Sequence, residues 1–239
     1  HEQNAVAGLS NRFLSKIATK VLAAFPGAFA SGIAHKVVGN PLRRNIIAAD
    51  RDNKVGSGKH VLIVGGSLGA RVLNETVPTA VSQIKIQNFD VWHQTGKDNQ
   101  QKVFNSYQSF GLTQDKIKVA DFIDDMSAAY AWADVVVCRA GALTVSELAM
   151  AAKPAIFIPL PHAVDDHQTK NANYLVSRGA AKLIAQSEFN GTTLAQTLNA
   201  MFVSEKNLQQ MSRAAHDAAH ADATTRVADT CKALVRNDD

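Results

Sequence analysis

The apolar and polar positions of the chain change rhythm along its length, and each change marks an element. Nearly unbroken apolar runs lie at residues 61–64, 135–137 and 155–158, the pattern of strands buried on both faces of a parallel sheet. Further strand-like segments fall at residues 89–93, 117–119 and 182–185. Between the runs the rhythm shifts toward 3.6: Leu143, Leu148 and Met150 share a helical face that Lys153-Pro154 ends, and residues 126–132 form a shorter helix. Asp166 stands where it can cap a helix carrying Gln168, Asn171 and Tyr174, and helices are expected over residues 192–202 and 208–235. Strands alternating with helices through residues 61–185 predict an α/β fold with a doubly wound parallel sheet, whose ligand sits off the carboxyl ends of the strands.

The N-terminal stretch reads differently. Phe13, Leu14, Ile17, Val21 and Leu22 recur at helical spacing with Arg12, Lys16 and Lys20 on another face, so one amphipathic helix is expected there, ended by Pro26-Gly27. Its basic face serves either a membrane surface or plain solvation. Residues 35–44 read as a short strand closed by Gly39-Asn40-Pro41, and the polar, glycine-bearing residues 50–59 as a linker or exposed loop. The crowded polar residues His1, Glu2, Gln3 and Asn4 resemble a loop that follows a strand, so the chain is expected to begin inside a domain.

Composition narrows the class. With 239 residues and 46% hydrophobic content, the chain can bury one large core or two unequal ones, and no window approaches the roughly 18 apolar residues of a membrane span. Cys138 and Cys231 are too few for a disulfide framework, which fits a reducing cytoplasm. The net charge of +4 is scattered, which favours an anionic ligand or membrane surface over nucleic acid.

Two turns carry the candidate chemistry. After the strand at 61–64 comes Gly65-Gly66-Ser67, with Gly69-Ala70 opening a helix; backbone there can approach a phosphate closely, and Ser67 adds a hydroxyl. After the strand at 135–137, Ala140-Gly141 lead into a helix whose free amides attract an anion, with Glu147 one turn further on, suited to a ribose diol. Thr144, Ser146 and Glu147 could equally be helix caps. The spacing departs from a dinucleotide fingerprint because Val64 replaces the first glycine and Gln94-Thr95-Gly96 supplies no acid, so nicotinamide binding is disfavoured. A phosphate-binding reading of Gly58-Lys59 fails because Asn53 and His60 stand at its key positions. His162, Asp165, Asp166 and His167 are metal-ligand types, yet nothing in their spacing fixes them on one face, and no metal is expected.

Taken together, HEQNAVAGLSN, VVGNPLR, VLIVGGSLGAR, WHQTGK, DFIDDM, ADVVVCRAGALTVSELA and DDHQTKNA resemble, in order and over essentially the whole chain, the MurG family of bacterial peptidoglycan glycosyltransferases. Members of that family move N-acetylglucosamine from UDP-N-acetylglucosamine onto lipid I to give lipid II. The resemblance implies a GT-B architecture of two Rossmann-like domains. It divides the chain into an N-terminal-domain remnant at 1–42, a linker at 43–59, a nucleotide-sugar domain at 60–215 and a C-terminal helix at 216–239.

It further implies that Ile123 offers its backbone to uracil, and that Ala142, Leu143, Thr144, Val145, Ser146 and Glu147 line the nucleotide and sugar, with Glu147 on the ribose. Ser67 and Arg43 would meet the diphosphate, Gln168 and Asn171 the sugar hydroxyls, and Asn4 would reach the donor from the other side. The implied chemistry is an inverting transfer with neither metal nor cofactor, at the cytoplasmic face of the bacterial inner membrane with peripheral association. His1 and Glu2 are the candidates for general base. Most of the family's acceptor domain has no counterpart here, so donor binding without transfer is the expectation for this chain; a non-catalytic binding fragment and an oxidoreductase domain are the alternatives.

Overall fold

The computed structural model describes residues 1–48, 59–66, 69–161 and 166–235. Its centre is a six-stranded, wholly parallel sheet of β3 (His60–Val64), β4 (Asp90–Gln94), β5 (Ile117–Ala120), β6 (Val135–Cys138), β7 (Ala155–Phe157) and β8 (Ala181–Leu183), in the order β5-β4-β3-β6-β7-β8. The chain lays strands outward on one side of β3, then returns and lays them outward from β6. The reversal therefore falls between β3 and β6, paired in register from Val61 opposite Val135 to Val64 opposite Cys138.

The apolar runs are strands because both faces of this sheet are covered. Val61 and Ile63 point into one core with Val135, Val137, Ile156 and residues of α3 (Arg71–Ser82), α4 (Gln100–Ser109) and α8 (Gly191–Phe202). Leu62, Val136, Cys138 and Phe157 point into the other, against α5 (Met126–Trp132), α6 (Ala142–Met150) and α7 (His167–Val176). Alternation within an unbroken apolar run thus serves two cores at once.

The N-terminal expectation is partly overturned. The helix α1 covers only Leu9–Leu14, and residues 21–25 do not continue it. Leu22 and Ala23 form β1, which pairs in parallel with β2 (Lys36–Val37), and Glu2 bridges to Ala23. The reason is burial: Leu22, Ala23, Ala24 and Phe25 are all inside, which suits an extended segment enclosed on every side and not one stripe of a surface helix. Lys20 consequently lies outside any helix.

Other boundaries shift as well. Residues 44–48, expected within a linker, form α2 (Arg44–Ala48), which buries Ile46 and accepts a hydrogen bond from Ser127 Oγ at Asn45 O. The rest of the expected linker, through residue 58, lies outside the described residues. The long C-terminal helix is two, α9 (Glu205–Asp217) and α10 (Ala223–Val235), broken at residues 218–222. Asp166 does precede α7, but in a left-handed conformation and with no side-chain cap.

One buried group gives the fold a pH signature. His93, on β4, is fully enclosed, bonds Tyr107 Oη through Nδ1 at 2.9 Å, and is pushed by burial from 6.5 down to about 3. Above pH 6.5 the ring is neutral in both folded and unfolded chains, so it adds no pH dependence. Below 6.5 the unfolded chain binds a proton that the folded chain refuses, so stability falls by up to about 1.4 kcal/mol per pH unit until the pH nears 3. Replacing His93 by Phe should remove that slope, and urea titrations of both chains across the window measure it.

Candidate functional site

The two turns singled out by the sequence leave adjacent strands. Gly65 and Gly66 follow β3, Arg139 to Gly141 follow β6, and the pairing of Val64 with Cys138 sets their starting points side by side. This is the switch point of the sheet, where an open α/β fold has a crevice at the carboxyl ends of its strands. Ser67 lies outside the described residues, but Gly66 and Gly69 on either side are fixed: both have positive φ, and the Gly69 amide donates to Gly66 O at 2.9 Å.

Gln94 fixes the turn. Its Oε1 accepts from the Gly66 amide at 2.9 Å, while Nε2 donates to Gly66 O at 2.9 Å and to Asp121 O at 2.8 Å. A side chain on Gly69 would meet Thr95 O at 2.3 Å, so glycine is required there by contact as well as by conformation. The position that lacks the acid of a dinucleotide site thus holds an amide that ties together the ends of β3, β4 and β5.

The second turn enters α6. Gly141 is its N-cap, without a side-chain cap, and its carbonyl accepts the amide of Val145, leaving the earlier amides aimed off the helix end. Thr144, Ser146 and Glu147 are therefore not N-caps. Leu143 is exposed and Val145 buried, while Thr144, Ser146 and Glu147 are half-buried. Ser146 Oγ donates to Ala142 O at 3.0 Å and accepts from Asn40 Nδ2 at 3.1 Å.

The Glu147 carboxylate is held from two sides. Oε1 accepts from Arg43 at 3.2 Å and Oε2 from Tyr130 Oη at 3.0 Å. Arg43, expected at the diphosphate, instead meets the carboxylate expected at the ribose; its side chain is 57% exposed, so the pair is weak and exchangeable. Ile123 buries its side chain in the core, and among the described residues its amide and carbonyl make no backbone hydrogen bond. Gln168 is half-buried and accepts the Leu160 amide at 2.9 Å through Oε1.

Two expectations need correction. Asn171 is completely buried: Oδ1 accepts the Ala5 amide at 2.7 Å, and Nδ2 donates to Asn4 Oδ1 at 3.1 Å and Ala140 O at 3.2 Å. It ties the N-terminal segment to the end of β6 and has no side-chain group free for sugar, while Asn4 is half-buried. Glu2, 3% exposed, accepts from Asn4 N, Asn4 Nδ2, Gly8 N and Asn11 Nδ2. Burial acts to raise its pKa, but those bonds outweigh it and hold the carboxyl below its ordinary value, the reverse of what a general base requires.

His1 is exposed and lies 3.0 Å from Gly39 O through Nε2. A carbonyl can only accept, so Nε2 carries the proton and the neutral ring keeps its lone pair on Nδ1. The metal reading gains nothing: His162 and Asp165 lie outside the described residues, among which no group of three or more ligand-type side chains comes together. Sequence reasoning missed Gln94, Asn40 and Tyr130. The first two sat in turns read only for what they lacked or ended, and Tyr130 looked like one more apolar position of a short helix.

A switch point in a doubly wound parallel sheet, with a glycine turn after one strand and an open helix start after its neighbour, defines a unit of Rossmann type. Residues 60–227 match the glycosyltransferase family 28 C-terminal domain, and the chain belongs to that family. It is 52% identical to the UDP-N-acetylglucosamine–N-acetylmuramyl-(pentapeptide) pyrophosphoryl-undecaprenol N-acetylglucosamine transferase of Colwellia psychrerythraea, a match over 98% of this chain and 62% of the relative. The enzyme of the same name from Shewanella frigidimarina is also 52% identical, over 99% of this chain and 65% of its own length. The crystal structure of Acinetobacter baumannii MurG superposes with a TM-score of 0.85 at 40% identity, covering 96% of this chain and 65% of that one. The fold is thus that of a GT-B glycosyltransferase C-terminal domain, and the chain spans a little under two thirds of the length of these relatives.

The clamp at Gln94 is open to test. Gln94→Leu removes the bonds to the Gly66 amide, Gly66 O and Asp121 O, while Asp121 O keeps the Gly96 amide and the exposed Gly66 can turn to water, and it should lower stability by about 1–3 kcal/mol in urea unfolding.

Proposed function

We propose that this chain is the donor half of an N-acetylglucosaminyltransferase: residues 60–215 hold UDP-N-acetylglucosamine, and the whole enzyme passes the sugar to an undecaprenyl-pyrophosphoryl acceptor of lipid I type. The observation that carries the reading is the convergence of the glycine turn and the start of α6 on one crevice, with Glu147 beside it. In it, the Ile123 backbone receives uracil, Glu147 takes the ribose diol, and the amides at the start of α6, together with Ser67, take the diphosphate. Gln168 faces the sugar through its amide nitrogen. Residues 1–42 contribute the other wall, delivered by the Asn171 and Asn40 bonds to Ala5, Gln3 and Asn4.

Transfer inverts the sugar: the acceptor's 4-hydroxyl attacks the anomeric carbon, and the bond to UDP breaks with its electrons on the diphosphate oxygen. That charge develops off the start of α6, whose open amides stabilise the leaving group without rearrangement. A proton must leave the attacking hydroxyl, and of the two candidates in this chain only His1 keeps a free acceptor atom.

A second reading has an observation of its own. The chain spans under two thirds of its relatives and its Glu2 is wholly occupied, which favours donor binding without turnover in this chain alone. Turnover of a lipid I analogue would decide for the complete reaction. Calorimetry decides the donor half: saturable binding of UDP-N-acetylglucosamine is expected, and a folded chain that gives no heat would overturn the assignment. Glu147→Ala should weaken UDP binding by about 1–3 kcal/mol.

Membrane contact rests on α1 and its following turn. Leu9, Phe13, Leu14 and Ile17 are 67%, 63%, 53% and 82% exposed beside Lys16, a surface suited to peripheral attachment at the cytoplasmic face of an anionic membrane. No helix among the described residues is long and apolar enough to cross a bilayer. Ile17→Glu should reduce co-sedimentation with anionic vesicles while leaving UDP affinity unchanged; equal sedimentation would remove α1 from the contact.

A further inference from the structure

We infer that Tyr130 is a positioning residue for ribose recognition, presenting the Glu147 carboxylate to the 2′- and 3′-hydroxyls of the nucleotide. The inference rests on the reading of Glu147 given above and extends it to a residue that touches no ligand.

The geometry distinguishes the two groups on that carboxylate. Arg43 approaches Oε1 from an exposed side chain, and such a contact forms and breaks with little change in free energy. Tyr130 approaches Oε2 from inside: it is 2% exposed, packed in the core beneath α6, and its hydroxyl has this carboxylate as its hydrogen-bond partner at 3.0 Å. Burial first, and the nearby Glu147 charge second, push the phenol well above its ordinary pKa, so the hydroxyl remains a donor at every working pH. A carboxylate has about four lone-pair directions, and Tyr130 and Arg43 occupy one on each oxygen. One direction on each oxygen is left, which is the number a vicinal diol uses.

The helix that carries Tyr130 begins at the loop assigned to uracil. Asp125 caps α5 by accepting the Ala128 amide at 3.0 Å, directly after Ile123, and Ser127 Oγ donates to Asn45 O at 3.0 Å on α2, which follows Arg43. The base loop, the phenol and the carboxylate are therefore parts of one rigid piece. A carboxylate freed from Tyr130 would still sit on α6 but would sample other rotamers, and each ribose bond would then cost ordering entropy.

The test compares UDP with 2′,3′-dideoxy-UDP by calorimetry on the complete 239-residue chain and on Tyr130→Phe, which removes the hydroxyl and keeps the ring. The unmodified chain should prefer UDP by about ten-fold or more. Tyr130→Phe should bind UDP about ten-fold more weakly and dideoxy-UDP within about two-fold of the unmodified chain, because only the diol contact is lost. In a Glu147→Ala background the Tyr130→Phe change should add nothing. A merely structural tyrosine would weaken both ligands alike. A second readout leaves Tyr130 unchanged: its labelled ring resonances should move with UDP and much less with dideoxy-UDP. Preference for UDP retained in a folded Tyr130→Phe chain, or equal resonance shifts with both ligands, overturns the role of Tyr130 alone. An unmodified chain that binds both ligands equally removes the Glu147 assignment, and the role of Tyr130 with it.

Discussion

Parallel pairing of β3 with β6 is the constraint on which the rest depends. Strands distant in sequence can pair this way only if the chain leaves β3, builds one flank of the sheet, and returns over it. The return separates the two crossovers at that seam, α3 lying on one face and α6 on the other, and opens a crevice between the turns that lead into them. The start of α6 leaves open backbone amides there that no side-chain substitution removes.

How far this was legible in the sequence depends on the reach of each interaction. Runs such as 61–64 and 135–137 announce buried strands because enclosure on both faces leaves no polar position to interrupt them, and the glycines at 65, 66 and 69 announce the turn. Helical spacing failed at Val21 and Leu22, where the same apolar letters satisfy either a stripe or an enclosed extended segment; only the partner strand Lys36–Val37, remote in sequence, decides between them. Glu2 and Asn171 were read as chemical groups because their types are chemical, yet each is consumed by contacts with residues whose proximity no local pattern encodes. Tyr130 was invisible for the converse reason, being an apolar-looking letter on a short helix whose hydroxyl acquires meaning only when α6 packs over it. What stayed legible was backbone chemistry; what did not was the polar network of the second layer.

That second layer also explains how the N-terminal segment is held against the large sheet. Asn171 links Ala5 and Asn4 to Ala140, and Asn40 links Gln3 to Ser146, so amides from α7 and from the turn after β2 stitch residues 3–5 to the start of α6. Amide side chains suit the task in different ways: Asn171 both donates and accepts, satisfying two backbone groups, whereas Asn40 serves through the two hydrogens of Nδ2. His1, just before the stitched residues, remains exposed, with Nε2 3.0 Å from Gly39 O.

Catalytic and binding groups are often recognised by being unpaired, yet the carboxylate proposed here to face the ligand is a well-partnered one. Glu147 and Glu2 each accept from several donors, and the difference lies in where the donors come from. Glu2 is ringed by its own neighbours, Asn4, Gly8 and Asn11, which close over both oxygens. Glu147 is held by Tyr130 from beneath and Arg43 from one side, and 14% of its side chain stays exposed. Charge, burial and hydrogen-bond number therefore fail to separate the structural Glu2 from Glu147, the carboxylate proposed to bind. The direction of the remaining lone pairs does separate them, because a diol can approach only where the protein has left a donor out.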